Sequence, residues 1–280
     1  MKKKLIYLIF NLFLVIFLFQ CSFKNSKPVS INDNKNMKVH YIDVGQGDSI
    51  LVQVNSKNLL IDSGSSTSKD KLLKYLKSLN IDKFDYIVAT HPHEDHIGNM
   101  SYIIDKFKVL NFYAPKVESS TKAFETMVES LIRKDLKIKV LKANVNSIDL
   151  GENTKVEVFS PLSENYDDLN NYSPIIKISY GSTSFLFTGD AEEFSEKEVL
   201  NAGFDLKSDV LKIGHHGSSS STSKNFFTAV NPSITVISVG NDNSYGHPTN
   251  KVLSLIKETC IYRTDKDCNI VITSDGNSIK

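Results

Sequence analysis

Three imidazoles and two carboxylates fall within six consecutive residues, His91-Pro92-His93-Glu94-Asp95-His96. Neutral imidazole and carboxylate are the ligands that zinc and neighbouring divalent ions prefer, so the hexapeptide reads as a metal site. The chain holds seven histidines, and a chance polar loop would rarely gather three of them. Four ligands in one loop can begin sites for two ions. Two later segments carry matching chemistry: Asp190, which closes Ser184-Phe185-Leu186-Phe187-Thr188-Gly189-Asp190, and the adjacent histidines of Gly214-His215-His216-Gly217-Ser218. His247, in Tyr245-Gly246-His247-Pro248, is a further imidazole available for proton transfer.

These groups need rigid elements to hold them. Phe84 to Thr90 is short, β-branched and apolar and reads as a buried strand delivering the histidine loop to a sheet edge, with a helix over Tyr102–Phe107 beyond it. Met37–Val44 alternates as a half-buried strand and ends at Gly45-Gln46-Gly47-Asp48-Ser49. Ile50–Val54 and Asn58–Asp62 form a hairpin through Asn55-Ser56-Lys57, leaving the Asp62 carboxylate at a strand tip. Lys71–Leu79 places Leu72, Leu73, Leu76 and Leu79 on one helical face, with lysines on the solvated side. Further strands are expected at Val109–Tyr113, Lys137–Leu141, Val156–Pro161, Ile175–Tyr180, Ser184–Asp190 and Asp209–Ile213. Helices are expected at Thr121–Lys134, Glu192–Leu200, from Lys224, and over Thr249–Ile256. The second half echoes the first, since each has a strand that ends in an exposed acid. Ile261–Thr264 and Asn269–Thr273 read as a hairpin turning at Asp265–Cys268.

At 280 residues, 40% hydrophobic and 23% charged, the chain has the composition of an ordinary globular protein with a sizeable core. Removing residues 1–20 takes away three lysines and no acid, turning 33 basic against 32 acidic residues into 30 against 32. That balance argues against tight non-specific nucleic-acid binding, which needs a large excess of Lys and Arg on one face.

Lys2-Lys3-Lys4 followed by the apolar run Leu5–Phe19 reads as an export signal, excluded from the fold argument. Cys21 stands where bacterial lipoproteins carry their lipid, although Gln20 replaces the usual small residue before it. The segment therefore predicts a lipid anchor, an uncleaved helical anchor or release after cleavage, each with the hydrolytic part facing outward. Residues 21–36, rich in Asn, Lys and Ser, form a polar tether, and residues 37–280 form the domain. With Cys21 lipidated, Cys260 and Cys268 remain as an even pair in an oxidising place, but the expected hairpin would hold them too far apart to bridge.

Asp43-Val44-Gly45-Gln46-Gly47-Asp48-Ser49, Leu60-Ile61-Asp62-Ser63-Gly64, Thr90 to Gly98, Phe187-Thr188-Gly189-Asp190, Gly214 to Ser218 and Tyr245 to Pro248 together resemble the metallo-β-lactamase superfamily, and within it the extracellular hydrolase domain of ComEC-like competence proteins. The resemblance runs from about Val39 to Asp275. It implies an α/β fold, the αβ/βα four-layer sandwich, with two mixed sheets face to face and two divalent metal ions at one edge, zinc first and manganese as the alternative. Carried over residue by residue, His91 and His93 are ligands of the first ion, and Asp95 and His96 of the second. Asp190 bridges both, and His215 or His216 completes the second site. His215 is favoured because it leaves the strand first, with His216 beside it as a proton donor together with His247. Asp62 orients a ligand imidazole. Many members have another histidine between the loop and the bridging acid, and none occurs here between His96 and Asp190. Asn171, Ser173 or water would fill that place, which favours a harder ion such as Mn²⁺.

Two such ions can share a hydroxide and clamp an ester, lowering the pKa of bound water from roughly 15.7 to about 7. The sequence therefore predicts an anchored metallohydrolase of phosphodiesters, with DNA as the leading substrate and Asp95, His216 and His247 at the reaction. The alternatives are a metallohydrolase of another ester, a lactone or a lactam, and a non-catalytic surface protein that binds DNA. The loop Gly217–Ser223 offers hydroxyls and N–H groups for a phosphate, or else is a linker. No channel-forming spans follow the signal, so import of DNA by this chain alone is not expected.

Overall fold

Alternation of period two decides the architecture. In the computed structural model, β1 (Met37–Tyr41) sends Met37, Val39 and Tyr41 to one face. β2 (Ile50–Val54) and β3 (Lys57–Ile61) send Ile50, Val52, Leu59 and Ile61 the same way, but Leu51 and Leu60 to the other. A sheet apolar on both faces must be covered on both, and two further layers do so.

The structure describes residues 36–145, 147–241 and 243–280. The expected signal or anchor at 1–20 and all but the last residue of the tether lie outside them. Among the described residues, no helix is long and apolar enough to cross a membrane.

The remaining strands are β4 (Lys83–Phe84), β5 (Tyr86–Val88), β6 (Lys108–Val109), β7 (Phe112–Ala114), β8 (Ile138–Val140), β9 (Thr154–Val158), β10 (Ile176–Tyr180), β11 (Thr183–Phe187), β12 (Val210–Lys212), β13 (Ile234–Ile237), β14 (Cys260–Arg263) and β15 (Ile270–Ser274). The helices are α1 (Lys69–Ser78), α2 (Glu94–Ile97), α3 (Met100–Lys106), α4 (Lys122–Arg133), α5 (Glu193–Asn201), α6 (Lys224–Val230), α7 (Asn250–Ile256) and α8 (Thr264–Asp267). One sheet runs β15-β1-β2-β3-β5-β7-β8 and the other β14-β13-β12-β11-β10-β9, with β4 and β6 as a small separate pair.

Each large sheet contains an antiparallel meander that continues into parallel strands. β1, β2 and β3 lead into β5, β7 and β8. β9, β10 and β11 lead into β12, β13 and β14. Val156, Val158, Ile176, Ile178, Phe185, Phe187, Val210 and Val236 of the second sheet meet the inner face of the first in one core. α1, α3 and α4 close the outside of the first sheet through Leu72, Leu76, Ile103, Ile104, Met127 and Leu131. α5, α6 and α7 close the second through Val199, Phe226, Val230, Val252 and Ile256. The expected four-layer sandwich is therefore observed.

One expectation is corrected. The strands read as a hairpin at 261–273 belong to different sheets: β14 lies parallel to β13, and β15 lies antiparallel to β1. Tyr262 and Val271 are partly exposed edge residues, so local alternation carried no information about the partner strand. Cys260 and Cys268 are both free and exposed. β13 had not been anticipated, because Ile234-Thr235-Val236-Ile237 is short and enclosed by Pro and Ser.

Candidate metal centre

The ends of four strands converge on one edge of the sandwich. β3 and β5 are parallel, with Ile61 opposite Val88, so Asp62 and the loop that starts at Thr90 leave the first sheet together. β11 and β12 are likewise parallel and release Asp190 and His215-His216 from the second. Parallel neighbours end at the same level, which is why a sheet of this kind concentrates side chains at its carboxyl edge.

The histidine loop is fixed from below. Asp62, wholly buried, accepts hydrogen bonds from Thr90 N at 2.8 Å and Thr90 Oγ1 at 2.7 Å, and pairs with His96 Nδ1 at 2.8 Å. That last contact sets the His96 tautomer and leaves Nε2 facing inward. Asp48 N donates to the Asp95 carbonyl at 3.2 Å, and a Cβ at Gly47 would overlap that same oxygen, so the glycine allows the first loop to seat against the second. His93 stands at the residue before α2, without a capping hydrogen bond from its side chain, and the helix's single turn carries Asp95 and His96.

His96 Nε2 lies 3.2 Å from Asp190 Oδ2, and His216 Nε2 lies 3.4 Å from Asp95 Oδ2 and 3.5 Å from Asp190 Oδ2. Ligand atoms of Asp95, His96, Asp190 and His216 all fall within 4.8 Å of one another. His91 Nε2 borders this group, 3.9 Å from Asp190 Oδ2 and 3.0 Å from His93 Nδ1. His96 Nε2, His216 Nε2 and Asp190 Oδ1 are buried and make no hydrogen bond. Buried polar atoms are nearly always satisfied, so several converging without partners fit a cation between them. Asp48, Asp62 and His96 form a second close grouping; Lys212 pairs with Asp48 Oδ2, and Thr90 and His96 occupy Asp62, which leaves Asp48 Oδ1 as its one unbonded carboxylate oxygen.

Charge within the cluster is strongly polarised. Burial opposes a charge on His216, yet Asp190 and Asp95 prevail and push its pKa up to about 10. His96 is likewise raised well above the usual imidazole value against the effect of burial, by Asp190, Asp62 and Asp95. Asp190 and Asp95 are held below the usual carboxylate range although burial works the other way, Asp190 through His216 and His96, Asp95 through His96 and His216. His91 is lowered well below its ordinary value by burial and then by His96.

The geometry brings His216, rather than the favoured His215, into the grouping with Asp95, His96 and Asp190. Both residues adopt left-handed backbone conformations, φ 46° and 54°, which throw adjacent side chains to different places. His216 is 1% exposed and its Nδ1 meets the Ser238 carbonyl at 2.9 Å, which points Nε2 into the cluster. His215 stays at the mouth, its Nε2 3.7 Å from Asp190 Oδ2 and its Nδ1 3.5 Å from Glu192 Oε1. The mouth opens into a cavity of about 340 Å³ bordered by Gln46, Asn170, Tyr245 and His247. His247 has an unpartnered Nδ1 and lies 5.7 Å from the His215 ring, while Tyr245, 69% exposed, stacks on it.

Several supporting groups escaped the sequence reading. Lys212 is wholly buried and pairs with Asp48 Oδ2 at 2.9 Å behind His216. A lysine inside Val210-Leu211-Lys212-Ile213 was the available signal. Glu196 takes the N–H groups of Thr222 at 2.6 Å and Ser223 at 2.8 Å, so the serine-rich loop is held internally and those donors are not available to a phosphate.

The Metallo-beta-lactamase superfamily model matches residues 42–240. The chain belongs to the metallo-beta-lactamase superfamily. Its competence-protein relatives include ComE operon protein 3 of Bacillus subtilis (strain 168), 32% identical over 254 residues, covering 83% of this chain and 32% of that protein. Competence protein ComA of Neisseria gonorrhoeae is 27% identical over 237 residues, covering 84% and 31%. The chain thus spans roughly a third of the length of these relatives. Among solved structures, the metallo-beta-lactamase fold protein YhfI from Bacillus subtilis matches with a TM-score of 0.59 at 14% identity, over 85% of this chain and 100% of that one. The metallo hydrolase Igni18 from Ignicoccus hospitalis matches with 0.53 at 18%, over 85% and 98%. These two likenesses establish the fold of this superfamily member and leave its chemistry to its own residues.

Proposed function

We propose that this metallo-beta-lactamase superfamily member is a two-metal phosphodiesterase acting on nucleic acid at the outer face of the membrane to which its N-terminal segment attaches it. The observation that carries the hydrolase reading is the convergence of buried, unbonded His96 Nε2, His216 Nε2 and Asp190 Oδ1. His91 and His93 would hold the first ion, Asp95, His96 and His216 the second, and Asp190 would touch both. When bound, two divalent ions supply a nucleophile from water near neutral pH and neutralise charge on phosphoryl oxygens.

The chain's own groups do the rest. Asp62 and the Ser238 carbonyl fix the tautomers of His96 and His216, so that both Nε2 lone pairs face the cluster. With His216 committed there, proton delivery to the leaving oxygen passes to the mouth, where His215 and His247 lie side by side. The nucleic-acid substrate is supported by relatives named for competence and by another named Recombination protein 2 of Haemophilus influenzae. The exposed Tyr245 ring adds to that support, because an aromatic face at a polar mouth is a platform for stacking a base. Attachment rests on Lys2–Lys4, the apolar run to Phe19, and Cys21.

The test is hydrolysis of bis(p-nitrophenyl) phosphate, then of single- and double-stranded DNA, by residues 22–280 loaded with Zn²⁺ or Mn²⁺, alongside Asp190→Ala. Two ions per chain and activity that disappears in the variant are expected. Fewer than one tight ion, with no activity sensitive to the substitution, would return the reading to a DNA-binding surface protein.

A further inference from the structure

The missing histidine has a replacement that the sequence pattern did not single out. Between His96 and Asp190 a short 3-10 turn, Leu169–Tyr172, runs beside the metal centre, held at its start by Asp168, whose side chain accepts from Asn170 N at 2.9 Å. Of its neighbours, Asn171 is fully engaged: Oδ1 accepts from Glu192 N at 3.2 Å and Ser195 N at 3.4 Å, and Nδ2 donates to Glu192 Oε2 at 3.5 Å. Ser173 is engaged too, since its Oγ accepts from Asp190 N at 3.1 Å and meets His91 Nδ1 at 3.3 Å. Both residues therefore support the centre from behind.

Asn170 differs from both. It is 6% exposed, it borders the same cavity as His93, Asp95 and Asp190, and its Oδ1 is buried with no hydrogen-bond partner. A carbonyl oxygen has only lone pairs to offer, so its natural occupant is a donor or a cation. We propose that Asn170 Oδ1 is a ligand of the first metal site, completing with His91 and His93 a set in which a third histidine is absent. This rests on the two-metal reading of the same cluster. Exchanging an imidazole nitrogen for an amide oxygen makes the site harder and narrows the advantage of zinc over manganese.

Metal binding, independent of turnover, decides the matter. The full chain, purified metal-free in detergent, is dialysed against graded Mn²⁺ or Zn²⁺, and bound metal is counted by elemental analysis and, for Mn²⁺, by electron paramagnetic resonance. The wild type takes two ions. Asn170→Ala keeps one and binds the other at least tenfold more weakly, Asn170→Asp restores it, and Asn170→His raises the Zn²⁺ to Mn²⁺ affinity ratio at least tenfold. The melting temperature of metal-free Asn170→Ala stays at or above that of the wild type, because the substitution removes an unsatisfied group. A residue that only shaped the turn would lower it. Two ions retained by Asn170→Ala with affinities within twofold of wild type overturn the assignment and leave the two-metal centre standing. A wild type holding fewer than two ions overturns both.

Discussion

Replacing Asp62 by Asn isolates the role of the carboxylate beneath the metal centre. The side chain is 0% exposed and accepts three contacts, from Thr90 N, Thr90 Oγ1 and His96 Nδ1, at 2.8, 2.7 and 2.8 Å. Asparagine can keep the first through its one oxygen, but its NH₂ then faces His96 Nδ1. That nitrogen must become the acceptor, so the neutral imidazole carries its proton on Nε2, the atom 3.2 Å from Asp190. In the neutral imidazole that binds metal, Asp62 keeps the wild-type proton on Nδ1 and leaves Nε2 open, whereas in the variant the favoured tautomer blocks Nε2 and an ion must displace that proton too. Losing such an orienting partner weakens metal affinity about 10–100-fold, or roughly 1.4–2.7 kcal/mol. The fold should tolerate the change, because Asp62 sits at φ 58°, a left-handed conformation that asparagine readily adopts. Loss of one hydrogen bond to a charged group limits the stability cost to about 3 kcal/mol. Competition against a chromophoric chelator at fixed pH measures the affinity, and far-UV circular dichroism checks the fold. A folded Asp62→Asn protein that binds both ions within threefold of wild type would refute the tautomer argument.

The other predictions concern buried charge. Lys212→Met strands Asp48 in the interior without its cation, and urea unfolding should register a loss of about 3–5 kcal/mol; a change under 1 kcal/mol would show that the pair is not buried as described. His40, packed under Tyr75, has its pKa lowered by burial from 6.5 to about 4, so its neutral form contributes stability that is present above pH 6.5 and is lost as pH falls towards 4. The whole effect is about 3 kcal/mol, and the difference between wild type and His40→Leu should shrink by that order between pH 7 and 4; a constant difference would contradict it. His216, raised to about 10, stabilises the metal-free protein below pH 6.5 and loses that contribution as pH rises through 10. Metal binding at pH 7.5 must therefore expel at least one proton, which calorimetry in buffers of different ionisation enthalpy will detect, whereas identical heats in all buffers would exclude it.

The sequence alone pointed to a metal site, because the histidine loop is local: four candidate ligands within six residues need no tertiary structure to be recognised. Alternation in Met37–Tyr41 and Ile50–Val54 and the helical face of Leu72, Leu73 and Leu76 placed individual elements, because they are set by the geometry of the backbone itself, while the sandwich followed from the resemblance of the motifs to a known superfamily. Tertiary structure decided what local pattern cannot encode. Two adjacent histidines are equivalent in sequence, and only the left-handed turn at 215–216 and the carbonyl of Ser238 send His216 inward. β14 and β15 look like a hairpin because pairing partners are not written into a strand, and α8 instead carries the chain from one sheet to the other. Asn170 differs from Asn171 only in what surrounds its oxygen. An unsatisfied acceptor is a property of the folded environment, and no spacing rule reveals it.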